Sequence, residues 1–278
     1  MSIVDAIIIA IVEGITEFLP ISSTGHMVIT SSLLGIAESD FTKLFEVSIQ
    51  LGAILAVVIL YWRKFFAPIA IGVTGWQFYA KLIVGVLPAL LFGFIFSDKI
   101  DQLLESPTTV AVSTLLGGIV LLFIDKVFKK PTIQSDKEIS YTKSFLIGCW
   151  QVIAMIPGVS RSAATIIGGM QQKLTRNVAA EFSFFLAVPT MFAATAYSIV
   201  LKKWNESGVP KKGYELIMEN HQNTYAFIIG TIVAFVVALL AIRFFINYLK
   251  KYGFRAFGIY RIVLGCILLA LIWSGKLY

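Results

Sequence analysis

Charge is scarce in this chain. Asp, Glu, Lys and Arg make up 14% of its 278 residues, where a soluble domain carries roughly a quarter. Hydrophobic residues reach 58%, so the composition excludes an ordinary soluble protein and indicates an integral membrane protein. Cysteine is nearly absent. Cys149 and Cys266 lie far apart in apolar runs, with no CxxC spacing and no histidine nearby, and both read as membrane-embedded packing residues. Basic residues are missing from the first eighteen positions, which also end without a small-residue cleavage site; a cleaved signal peptide is therefore not expected. The net charge of +7 is scattered among interhelical loops, which favours anionic lipid headgroups over nucleic acid as the counter-charge.

Long apolar runs are what the chain does have. A spanning helix needs roughly 20 mostly apolar residues, and six windows qualify: about 44–62, 78–96, 108–124, 182–201, 225–242 and 256–273. Two further segments are apolar but broken. Val4 to Phe18 is 15 residues, about 22 Å as a helix, and Pro20 removes a backbone donor and should end it. After "ISSTG" the chain is apolar again only to Ile36. The same device returns at 144–171, where Pro157-Gly158 and "VSRS" interrupt a second apolar stretch. Each broken segment is expected to be a re-entrant hairpin.

Superposing the breaks pairs Pro20 with Pro157 and Ser23 with Ser160, then Glu46 with Glu181, Gly85 with Gly230 and Gly117 with Gly265. The expected fold is an all-α integral membrane protein with an inverted-topology repeat. Residues 1–135 (hairpin 4–36) and 136–278 (hairpin 144–171) each supply one re-entrant hairpin and three spanning helices. Three crossings per half invert the second half. Fourteen basic residues then fall on one side, against Lys43, Lys99, Lys202, Lys203, Lys211, Lys212 and Lys276 on the other. The richer side is expected to be cytoplasmic, with both termini outside. Inverted repeats whose broken helices meet near the midplane bind polar ligands there.

The broken segments carry the chemistry. Glu13 and Glu17 are four residues apart and stack on one helix face. Two buried carboxylates must share a proton, hold a divalent cation or lean on a basic group. Ser22, Ser23, Thr24 and Gly25 precede a resumed helix, where they serve as an N-cap and aim backbone N–H groups at an anion. His26 adds a group that gives and takes protons near neutral pH; His221, in a polar loop, reads as solvated. Arg161 supplies a planar fork of donors that suits phosphate, flanked by Ser160, Ser162 and Thr165. A salt bridge from Arg161 to Glu17 that locks the halves together is the plainer alternative. Glu46 and Gln50, four apart on the first span, are expected to line the same cavity, with Glu181 and Ser183 as their repeat partners. Arg261, in "GIYRIVLG", is left open between pairing with an acid and snorkelling to the interface. An acid pair, a hydroxyl, a histidine and an arginine beside an anion cradle suit phosphoryl transfer to water from a lipid-attached phosphate. A covalent phosphoenzyme through Ser23 or His26 would divide that reaction into two steps.

"EGITEFLPISSTGH" and "PGVSRSAAT" resemble the two signature motifs of the bacterial undecaprenyl-diphosphate phosphatase family, also known for bacitracin resistance. "FEVSIQLGAILAV" and "EFSFFLAVP" are similar to that family too, so the resemblance covers essentially the whole chain. It implies removal of the terminal phosphate from undecaprenyl diphosphate, which regenerates the lipid carrier for cell-wall synthesis. It also implies a multi-pass protein of the bacterial cytoplasmic membrane with an outward-facing site, commonly a homodimer. By the motif, Glu13 and Glu17 are the paired acids, Ser23 and His26 the reactive groups, and Arg161 with Ser160 the phosphate binders. Ser23 is preferred as nucleophile, with His26 as its acid/base. The family is associated with a divalent cation, Mg²⁺ or Ca²⁺, for which Glu13 and Glu17 are the candidate ligands; no organic cofactor is expected. "SSTGH" and "SRSAAT" also echo the phosphatidic-acid type of phosphatase, but the second histidine of that class is missing after Arg161. The competing expectation is a transporter or flippase of the polyprenyl phosphate carrier.

Overall fold

A helix that starts at a reciprocal cap opens the fold. In α1 (Ile3–Thr16) the Ser2 hydroxyl accepts from the Asp5 amide at 3.1 Å, and the Asp5 carboxylate accepts from the Ser2 amide at 2.9 Å, which satisfies two of the donors a helix start leaves orphaned. The computed structural model describes residues 1–37, 39–71, 73–104, 106–206 and 209–275. The remaining helices are α2 (Ser23–Leu33), α3 (Asp40–Ser48), α4 (Gln50–Leu60), α5 (Trp62–Ile71), α6 (Val73–Ile95), α7 (Ser97–Leu104), α8 (Pro107–Val127), α9 (Tyr141–Ile153), α10 (Arg161–Gln171), α11 (Arg176–Ala196), α12 (Gly213–Met218), α13 (His221–Tyr252) and α14 (Arg255–Trp273).

Six helical stretches among the described residues are long and apolar enough to cross a bilayer: Asp40–Leu60, Trp76–Ile95, Pro107–Val127, Arg176–Leu201, His221–Tyr252 and Arg255–Trp273. They fall on the six apolar windows, and the all-α, multi-spanning expectation holds. The first is α3 and α4 joined through Ile49; the fourth is α11 continued by a π-helical turn, Tyr197–Leu201. Departures are local. The linker after the first span is largely helical as α5, α13 is 32 residues long, and Lys203–Glu206 pairs antiparallel with Val209–Lys212. Lys276, counted above in the charge balance, lies outside the described residues.

The four helices of the two broken segments are too short to span. α1 and α2 have 14 and 11 residues, α9 and α10 have 13 and 11, so each is at most about 21 Å long against roughly 30 Å of hydrocarbon. Their packing is reciprocal. α1 lies along α13 and α9 lies along α6, while α8 and α14 face each other in the largest helix–helix contact. These contacts are consistent with an internal structural repeat. Small residues let the backbones approach: a Cβ on Gly148 of α9 would strike the Gly85 carbonyl of α6, and one on Gly118 of α8 would meet the Gly258 carbonyl of α14 at 2.9 Å. Lipid-side positions stay apolar and exposed, as with Ile228, Ile232, Val236 and Leu240 of α13, whereas Phe18, Phe184, Phe185 and Phe245 are fully buried.

The segment between α8 and α9 straps one end of the bundle. Thr132 and Ile133 amides donate to the Lys173 carbonyl at 2.9 and 3.0 Å, Lys64 pairs with Asp136 at 2.7 Å, and Lys81 reaches the Lys137 carbonyl at 2.9 Å. The closest helix crossing yields a direct test. Gly148→Ala is expected to destabilise the chain by about 1–3 kcal/mol through overpacking against rigid backbone, read as a lower melting temperature in detergent micelles; an unchanged melting temperature would show that α6 and α9 can move apart there.

Candidate active site

Both breaks end in the same strained cap. Ser22 precedes α2 at φ 70° and Ser160 precedes α10 at φ 76°, a region that costs a non-glycine residue on the order of 1–3 kcal/mol. Each is held there by its own hydroxyl: Ser22 Oγ accepts from the Gly25 amide and Ser160 Oγ from the Ala163 amide, both at 3.2 Å. The cap geometry therefore matches Ser22, not Ser23, with Ser160. The second break is one residue longer between its proline and its cap, which shifts the register read from the sequence. Ser23 and Arg161 become counterparts, each the first residue of its helix.

These two residues converge on one carboxylate. Ser23 Oγ donates to Glu17 Oε2 at 2.5 Å, and Arg161 Nη2 donates to Glu17 Oε1 at 2.7 Å. The Glu17 side chain is 7% exposed and that of Arg161 14%, so this is a largely desolvated, charge-assisted bond between the two broken segments. Arg161 also donates to the Ser183 carbonyl at 3.1 Å and lies over the Phe18 ring; its Nε is buried with no acceptor among the described residues. Glu13 is fully buried one turn before Glu17, and among the described residues neither of its carboxylate oxygens has a hydrogen-bond partner. Glu46 is within electrostatic reach of Glu13, and its Oε1 is likewise unpartnered.

Other expected residues are committed within the protein. Ser162 Oγ donates to the Phe18 carbonyl at 2.7 Å, and Thr165 Oγ1 bonds the Arg161 carbonyl at 2.8 Å and Ser183 Oγ at 2.6 Å; both brace the breaks. Thr24 is half-buried beside Ser23, and Gly25 is buried against Ser22, Val110 and Thr114. Gln50 is half-buried at the start of α4, and among the described residues no hydrogen bond joins it to Glu17, Ser23 or Arg161. His26 is not turned to Ser23. Its Nδ1 is 2.7 Å from the Ser22 carbonyl, and its Nε2 is 2.6 Å from the Tyr260 hydroxyl. No group of three or more His, Cys, Asp or Glu side chains among the described residues is placed to hold a metal ion.

Among the described residues Arg261 pairs with no acid, and it does not snorkel. It is fully buried, and its five N–H donors reach five backbone carbonyls. Nε donates to Thr114 at 3.1 Å, Nη1 to Pro20 at 3.3 Å and Val159 at 2.9 Å, and Nη2 to Ser113 at 3.2 Å and Gly158 at 2.7 Å. A Cβ on Gly117 would collide with the guanidinium, which explains the glycine there. Ser113 donates to the Pro157 carbonyl as well. Tyr260, Met191, which accepts from Arg161 at 3.2 Å, and this carbonyl cage went unmarked in the sequence; only the polar pair Tyr260-Arg261 inside an apolar span signals them.

Fold and site together define a polytopic helical membrane protein in which two broken segments share one charged, hydroxyl-bearing centre. The description "Bacitracin resistance protein BacA" belongs to the family model that matches residues 6–267, and the chain belongs to that family. It is 57% identical over 269 residues to the undecaprenyl-diphosphatase of Flavobacterium psychrophilum, covering 97% of this chain and 95% of that protein. It is 54% identical over 270 residues to the undecaprenyl-diphosphatase of Flavobacterium johnsoniae (97% and 96% covered). The enzyme of the same name from Aquifex aeolicus is 44% identical over 264 residues (94% and 95%).

Arg261→Met should strip the Pro20 and Val159 carbonyls of their donor and weaken the hold on Gly158, Ser113 and Thr114, at about 1 kcal/mol or more for each carbonyl left without a donor. A melting temperature lowered by many degrees is expected in micelles, with Arg261→Lys recovering only part of the loss because an ammonium cannot span the fork.

Proposed function

We propose that this membrane protein hydrolyses undecaprenyl diphosphate to undecaprenyl phosphate and inorganic phosphate, returning the lipid carrier to cell-wall synthesis. The observation that carries the chemistry is the Glu17 carboxylate held between the Ser23 hydroxyl and the Arg161 guanidinium. Ser23 Oγ attacks the terminal phosphorus and gives its proton to Glu17. The bond from that phosphorus to the bridging oxygen breaks, and undecaprenyl phosphate leaves. Water then cleaves the phosphoserine, releasing phosphate and restoring the hydroxyl. Arg161, whose buried Nε lacks an acceptor, and the first amides of α2 carry the developing negative charge. This assigns Glu17 the role of base to Ser23 and leaves His26 to exchange protons with substrate oxygen or water.

The two unpartnered oxygens of Glu13 are hard donors that suit Mg²⁺ or Ca²⁺, and Glu17, the other candidate ligand, would have to give up its bond to Ser23 or Arg161 to join them. A divalent cation bound there would neutralise phosphate charge. The same reading takes 1–135 and 136–278 as inverted halves with re-entrant segments 4–36 and 144–171, supported by the reciprocal packing of α1 on α13 and α9 on α6. It places the site toward the outside, both termini outside, and two copies together as the family resemblance implies.

Purified chain in micelles is expected to release phosphate from undecaprenyl diphosphate, with a loss on chelation that Mg²⁺ or Ca²⁺ restores. Ser23→Ala and Arg161→Ala should each lower the rate by roughly 10²–10³-fold without a change in circular dichroism; full release by both would overturn the assignment. Lipid that crosses vesicle leaflets with no phosphate released would favour a carrier instead. Orientation is tested by cysteine labelling in a background lacking Cys149 and Cys266: Lys130→Cys should resist an impermeant reagent added outside and Lys211→Cys should react, and the reverse pattern would invert the topology.

A further inference from the structure

His26 is restrained on three sides. Its Nδ1 lies 2.7 Å from the Ser22 carbonyl, and a carbonyl only accepts, so Nδ1 carries a proton. In the neutral ring Nε2 is then a bare acceptor, and the group that meets it is the Tyr260 hydroxyl at 2.6 Å. The two rings are also parallel within 2°, with centroids 5.6 Å apart. Ser23, the other reactive group of α2, gives its hydroxyl to Glu17 and makes no demand on the imidazole.

We propose that Tyr260 is a positioning residue for His26: with the Nδ1–H tautomer set by the Ser22 carbonyl, its hydroxyl holds Nε2, the nitrogen able to exchange a proton, toward the exposed side of the site. A phenol suits this role because it both donates and accepts. It donates to Nε2 when the ring is neutral. When the ring takes up a proton, Nε2–H donates back and the phenol hydrogen rotates away, so the contact survives both protonation states. Tyr260 is 45% exposed, which leaves that hydrogen room to turn outward. The next residue, Arg261, holds the Ser22 side of the arrangement, since it bonds the Pro20 carbonyl at 3.3 Å. One turn of α14 thus sets both the loop before α2 and the ring on α2.

The proposal rests on the phosphatase reading for its rate effect but not for its geometry, and the test separates the two. The chain contains only two histidines, so in a His221→Gln background ¹⁵N-labelled histidine reports one imidazole. Parent protein is expected to show a protonated Nδ1 and a hydrogen-bonded Nε2. Tyr260→Phe keeps the ring stack and removes the hydroxyl; it should move the Nε2 resonance to the unbonded position and slow phosphate release roughly tenfold, mostly in kcat. In a His26→Ala background the same change should cost nothing further. An unmoved Nε2 resonance, a Tyr260→Phe chain as fast as the parent, or an added loss on top of His26→Ala would each overturn the proposal. If the parent released no phosphate, the phosphatase reading would fail while the Nε2 resonance still decided the contact.

Discussion

Breaking a helix inside a hydrophobic environment exposes carbonyls that water cannot reach, and each must find a donor in the protein. Here one side chain answers carbonyls of both breaks at once. Arg261 takes carbonyls from Pro20 in the first break and from Gly158 and Val159 in the second, and anchors them to Ser113 and Thr114 of α8. A buried guanidinium with no counter-ion is ordinarily costly. Five carbonyl dipoles converging on it supply the compensation, and the same bonds fix the distance between the two breaks. The tight α8–α14 contact, with Gly117 and Gly118 bared toward Arg261 and Gly258, serves this junction.

Once the breaks are held together, near-symmetry is turned to asymmetric use. Ser23 and Arg161 occupy the same station after the same strained serine cap, yet one presents a hydroxyl and the other a fixed positive charge. Both meet at Glu17, which belongs to only one half. The centre is therefore built from two copies of one backbone device carrying different side chains, with the acids of α1 in between. Glu13 is fully buried, and among the described residues neither of its oxygens has a hydrogen-bond partner, so it is where a cation or a shared proton would have the most effect.

Much of this was legible in the sequence because membrane burial writes itself in composition. Six apolar windows located the six long helices, and Pro20 and Pro157-Gly158 located the breaks. That Glu17, Ser23 and Arg161 meet followed from pairing the breaks. The register of that pairing did not, because the proline is no landmark when the second break holds one residue more before its cap. Nor did the role of Arg261: its partners are backbone carbonyls, which every residue has and no letter announces. His26 and Tyr260 are 234 positions apart, and their contact depends on how α14 lies against the breaks, a tertiary fact. Ser162 and Thr165 looked like ligand donors because hydroxyls near an arginine suit an anion equally well whether they face it or brace its loop.

The reciprocal packing of α1 on α13 also sets an order of events during synthesis. About 200 residues separate the end of α1 from the start of α13, which at ~5–20 residues per second is a wait of roughly 10–40 s. Throughout that interval the nascent chain holds two carboxylates and a broken helix with neither Arg161, at first, nor Arg261 to answer them. The helix α14, made after both breaks, carries the donor that both need, so neither can be secured until it has emerged.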